Sequence, residues 1–120
     1  MKAIKFEISF GVVPGFTDST TQNDIAIESV VRAWEEAAAY VMEQKGLFVS
    51  AQFSAAQVIY PFGLDIISET VVSVSGISNP KFQANDIYRE AVRLISEYVK
   101  TGLKQNTATL QLSEVESYRI

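Results

Sequence analysis

The chain has 120 residues, 48% of them apolar, with 14 acidic and 10 basic side chains, a net charge of −4, and neither His nor Cys. That length suits one domain over residues 1–120 with its own core. Without imidazole or thiol, one chain has no disulfide, no thiolate nucleophile, no Ser-His-Asp triad and none of the usual zinc or haem ligand sets.

Lys2–Phe10 alternates strictly, with Ile4, Phe6, Ile8 and Phe10 on one face and Lys5, Glu7 and Ser9 on the other, which predicts a half-buried strand. Gly11, Pro14 and Gly15 end it. A helix is predicted from Gln22 to Lys45, with Thr21 as N-cap, Gly46 as left-handed C-cap, and a stripe of Ile27, Val30, Val31, Trp34, Ala38, Val41 and Met42. Glu28 and Arg32 should pair on its outer face.

Leu47–Tyr60 reads as the second strand. Its apolar phase changes after Ala55, which predicts a bulge near Ala55–Gln57 or a strand that leaves one core for another. Residues 61–64 should turn into a third strand, Glu69–Ile77. A second helix region opens at Asn79-Pro80, or afresh at Asn85, and ends near Gly102. Its stripe is Ile87, Ala91, Leu94, Ile95 and Tyr98, with an outer Arg93–Glu97 pair. Thr107–Ile120 is the last strand. Glu114 and Glu116 share its inward phase, so either the strand overruns the helices or a bulge near Ser113 turns the acids outward.

The order β-α-β-β-α-β predicts an α+β, ferredoxin-like fold: a four-stranded antiparallel sheet in order 4-1-3-2 with both helices on one face. Phe10-Gly11, Ser68-Glu69-Thr70 and Gln105-Asn106-Thr107 enter or close its strands. Through these the chain resembles, over most of its length, small uncharacterised ferredoxin-like proteins of bacteria and phages. The resemblance transfers no catalytic residue.

Lys and Arg are scattered and form no basic stripe, which argues against nucleic acid as a partner. The open faces of the first and third strands offer no aromatic for base stacking. No apolar run nears a membrane span and no signal segment opens the chain, so a cytoplasmic protein without a membrane partner is expected.

The Gly11–Thr21 loop leads into a helix N-terminus and carries Gly11, Gly15, Thr17, Ser19, Thr20 and Thr21, a suitable cradle for an anion, although the phosphate-loop lysine is missing. Trp34 and Tyr98 read as core. Tyr60, Phe62 and Phe82 fall at loop edges, where a satellite core is expected; Tyr60 and Phe62, if exposed with Tyr118, would instead form an anchor for a partner. The open sheet face (Lys5, Glu7, Ser9, Ser50, Gln52, Ser54, Val71, Ser73, Ser75) is short-chained and nearly neutral. With long edge strands, it predicts a homo-oligomer.

The expected function is therefore a non-catalytic, oligomeric binding protein without cofactor or metal. It would hold a small anionic or nucleotide-like ligand at a seam between the first loop and the 61–67 turn, with Arg89 or Arg119 supplied by a neighbouring chain. The alternative is an acidic protein-binding module or inhibitor, as in phage counter-defence. A carboxylate- or cofactor-dependent enzyme comes third.

Overall fold

The computed structural model describes residues 1–11, 19–105 and 108–120, with the backbone alone for residues 19–25. Its elements are β1 (Lys2–Gly11), α1 (Ser19–Lys45), β2 (Gln52–Phe62), β3 (Asp65–Ile77), α2 (Asn85–Gly102) and β4 (Leu110–Glu116). The strands form one antiparallel sheet in the order β2-β3-β1-β4, the predicted ferredoxin-like arrangement.

Alternation in β1 does what period two dictates. Ile4, Phe6, Ile8 and Phe10 are buried beneath the helices, while Lys5, Glu7 and Ser9 remain exposed. Across β3, Val72 and Val74 join the same layer. Helix α1 adds Val30, Trp34, Ala37 and Val41, and the Trp34 ring stacks on Phe6 with centroids 5.8 Å apart. Gly46 takes the left-handed cap with φ 67°, and its N–H donates to the Met42 carbonyl at 2.9 Å. Glu28 and Arg32 pair at 2.9 Å.

Several boundaries differ from expectation. Helix α1 starts at Ser19, so Thr21 lies inside it and is not its N-cap. Residues 47–51 are not strand: Leu47, Val49 and Ala51 pack on the core, while Gln83 holds the Phe48 backbone from both sides, accepting from its N–H at 3.3 Å and donating to its carbonyl at 2.7 Å. The β2–β3 register is continuous from Gln52↔Ser75 to Phe62↔Asp65, so no bulge interrupts Ala55–Gln57. The phase change instead marks the point where the strand leaves the core. The β1–β4 register is continuous too, without a bulge near Ser113; Glu114 faces Ile4 across the ladder and stays exposed, so the strand overruns its cover.

Helix α2 is rotated relative to its predicted stripe. It buries Tyr88, Ala91, Val92, Ile95, Ser96 and Val99, leaving Ile87 41% and Tyr98 47% exposed. The sequence is apolar on two adjoining faces of this helix, and packing of Tyr88 against Phe6, centroids 6.2 Å apart, selects one. Burial pushes the Tyr88 phenol up to about 12. No Arg93–Glu97 ion pair forms among the described residues.

A hydrogen-bond clamp fixes the start of α2 to the sheet. The Ile4 N–H donates to Ser78 Oγ at 2.8 Å, Ser78 Oγ donates to Asn85 Oδ1 at 2.8 Å, and Asn85 Nδ2 donates to the Lys2 carbonyl at 3.1 Å. Ser78→Ala leaves a buried N–H unpaired and should destabilise the fold by about 2 kcal/mol, read from denaturant unfolding. A larger steric cost sits beside it. A Cβ at Gly76 would lie 2.4 Å from the Ser50 carbonyl oxygen and 2.8 Å from Phe6 Cε1. Gly76→Ala should therefore cost about 3 kcal/mol by the same measurement, and an unchanged midpoint would mean that residues 47–51 yield freely.

Candidate functional site

β1 ends at Gly11, opposite Val71. Beyond that pair, β2 and β3 continue as a two-stranded arm from Gln57↔Thr70 to Phe62↔Asp65, closed by Gly63 at φ 64°. Its apolar side chains stay uncovered: Val58 is 42% exposed, Ile59 68%, Phe62 67% and Ile66 77%. The arm contributes to a longest dimension of 49 Å against 30 and 26 Å.

The open sheet face at the root of this arm gathers polar groups. Ser9 and Ser73 hydroxyls lie 3.1 Å apart. Two residues beyond Val71 on the same face is Glu69, cross-strand from Val58 and one step diagonal from Tyr60. The Tyr60 phenol is raised above its ordinary range by partial burial, then by the charge of Glu69 and its hydrogen bond to that carboxylate. It therefore stays a protonated donor through neutral pH. On the opposite flank, Glu7, Ser9, Ala108, Thr109 and Gln111 line a concavity of about 330 Å³. Gln105 Nε2 donates to the Gly11 carbonyl at 2.9 Å and ties the end of β1 to the segment after α2. Such a surface, with carboxylates at Glu7 and Glu69 flanking hydroxyls, favours a ligand that carries positive charge. The sequence had suggested an anionic one.

The residues predicted for the site divide between the two ends of the sheet. Gly11, Tyr60 and Phe62 lie at the arm end. Gly15 and Thr17 fall outside the described residues, and Ser19, Thr20 and Thr21 form the first turn of α1 with their side chains outside them. Phe82, in the turn where its N–H donates to the Asn79 carbonyl at 3.0 Å, is 71% exposed at the other end. Arg89 follows there in the first turns of α2, and Arg119 lines a separate concavity of about 440 Å³ with Met1, Ser78 and Lys81. Within one chain these two groups do not meet. Among the described residues no satellite core forms around Phe62 or Phe82, which are exposed, as is Tyr118, and Tyr98 lies outside the core. Glu69 reads from sequence as an ordinary loop acid because the predicted strand only begins there. Extension of β3 back to Asp65 makes it a sheet residue with a tyrosine partner.

Among the described residues no group of three or more acids could hold a metal ion, and no helix is long and apolar enough to cross a membrane. The sequence model of the SAM lyase family matches residues 1–119. No curated protein matches the chain. Among solved structures, a phage SAM lyase in its apo state is 18% identical with a TM-score of 0.62, covering 92% of this chain and 79% of its own. A phage SAM lyase in complex with S-methyl-5'-thioadenosine is 17% identical with the same TM-score, covering 93% and 81%. At those identities the solved structures speak for the fold alone. The family match overturns the expectation of a non-catalytic binding protein and the expectation against catalysis, because the matched family is one of enzymes.

Proposed function

The chain belongs to the SAM lyase family, and from that premise we propose that it cleaves S-adenosylmethionine (SAM) at its sulfonium and releases S-methyl-5'-thioadenosine. The family match across residues 1–119 carries this reading. The chemistry fits a chain without His or Cys. A sulfonium is already an activated leaving group. The bond from sulfur to the methionyl γ-carbon breaks, its electron pair stays on sulfur, and a neutral thioether departs. The substrate's own carboxylate closes on the γ-carbon to give a five-membered lactone. No proton is transferred, no water enters, and the ammonium keeps its charge throughout.

Closure of this kind asks for two things. The flexible methionyl chain must be held bent with its carboxylate behind the γ-carbon, a contribution of orientation. Water must also be excluded, because carboxylate and sulfonium both lose charge in the transition state and a wet site stabilises the separated charges. The Glu69–Tyr60 pair serves the first need: its carboxylate takes the permanent α-ammonium. Holding the sulfonium there would stabilise the ground state instead. The second need is served by a homo-oligomer in which the apolar arm of one chain covers the open sheet face of another. The substrate is a soluble cytoplasmic metabolite, so the cytoplasm is the place of action.

Incubation with SAM in ¹⁸O-labelled water should yield S-methyl-5'-thioadenosine and an equal amount of unlabelled homoserine lactone by mass spectrometry. Absence of the thioether product would overturn the activity. Label in newly formed homoserine, without a lactone precursor, would overturn the intramolecular route.

A further inference from the structure

A groove on the opposite side of the molecule, along the outer seam of α1 and α2, belongs to no part of that reading. Two concavities of about 430 and 300 Å³ share Ala33, Glu36 and Gly102 and so run into one another. The smaller is lined by Ala33, Glu36, Ala37, Tyr40, Tyr98 and Gly102. Its floor is made of small residues, and a Cβ at Gly102 would meet nothing within 4 Å, so the groove stands open there. Tyr40 and Tyr98 form its wall, edge to face at 5.1 Å and 72°. Both rings are about half exposed, at 48% and 47%, although aromatics this large usually gain by burial.

Charge of one sign lines the tyrosine end of the groove, while Arg32 lies in the larger concavity. Glu36 has no ion-pair partner among the described residues, whereas Glu28, farther along, is neutralised by Arg32 at 2.9 Å. No Lys or Arg lines the tyrosine end. An unpaired carboxylate beside electron-rich ring faces attracts a cation, and a floor of methyl groups and bare backbone suits a short alkyl chain. The volume is at the lower end of the range for small-molecule sites.

The geometry points to a second ligand site, between Tyr40, Tyr98 and Glu36, for a small aliphatic cation with a guanidinium or ammonium head. The head lies against Glu36 and the ring faces, and the chain runs over Ala33 and Ala37. This site is separate from the open sheet face and does not depend on the lyase reading.

The probes are agmatine and 1-butylguanidine, titrated into the full chain with the tyrosine ring resonances followed by NMR. Butyrate and 1-butanol serve as controls of matching chain length. Both cations should give saturable shifts at Tyr40 and Tyr98, weakened by added salt. Glu36→Gln and, separately, Tyr98→Leu should each weaken binding about fivefold. An excess of S-methyl-5'-thioadenosine should leave the bound probe in place. The proposal is overturned if the cations give no saturable shift, if butyrate or butanol shifts the same resonances equally, or if Glu36→Gln binds unchanged. Displacement by the thioadenosine overturns it too, since the groove would then be part of the substrate site.

Discussion

Glu69→Gln should lower release of S-methyl-5'-thioadenosine by about 100-fold, with most of the loss in kcat, a size typical for removal of one preorganised charged contact. The amide is isosteric, so it keeps the partner of the Tyr60 hydroxyl but loses the charge that the α-ammonium needs. Substrate still enters; its methionyl chain is no longer held bent for closure. Tyr60→Phe isolates the second half of the pair. It leaves the carboxylate in place and removes the neighbouring hydroxyl, whose pKa the carboxylate raises, so a smaller loss of about 10-fold is expected. Steady-state kinetics on both variants, with thermal melts to show that the fold is intact, test the pair. Turnover of Glu69→Gln within twofold of the parent would remove Glu69 from the reaction. A double variant no worse than Glu69→Gln alone is expected, because the hydroxyl acts only through the carboxylate.

The architecture was legible where one period ruled. The four alternating apolar residues of β1 and the three-and-four spacing of α1 carried their elements correctly, and six elements in one order left little choice of topology. Legibility failed where two faces were apolar at once. In α2, Ile87 and Tyr98 are as apolar as Tyr88 and Val99, so pattern alone could not say which stripe meets the sheet. In β2, the phase change after Ala55 was real, but its cause is a strand that runs out past the helices, and that depends on how far β1 extends. The function failed for a chemical reason. Missing His and Cys removes most general bases and nucleophiles, which puts an enzyme only third among the functions expected from sequence. A substrate that brings its own leaving group and its own nucleophile needs neither. Glu69 is inconspicuous in sequence because it opens the predicted strand and because an acid that only has to hold an ammonium leaves no motif.

Ile59→Lys together with Ile66→Lys should convert the protein to monomers and lower turnover by about 100-fold. These two side chains lie on one face of the arm, 68% and 77% exposed in the single chain, so a monomer has little reason to suffer from the change. An isolated two-stranded ribbon is marginally stable in water, yet this one carries Val58, Ile59, Phe62, Leu64 and Ile66 in the open with Asp65 as the sole charge between Gln57 and Ser68. A patch that is apolar on both faces and nearly uncharged finds no complement in a strongly charged partner. In the proposed homo-oligomer a second copy would supply the matching surface, and closed symmetric assemblies are the usual result. Glu69 and Tyr60 lie on the arm itself, so its docking onto a neighbour's open face would dry the place where sulfonium and carboxylate lose their charges. Sedimentation of the double variant at the monomer mass, with an unchanged melting profile at low concentration and lost turnover, is the expected result. A monomer that retains full turnover would show that one chain excludes water unaided. A variant that keeps the parent's mass would place the subunit contact elsewhere, on the β4 edge or the helices.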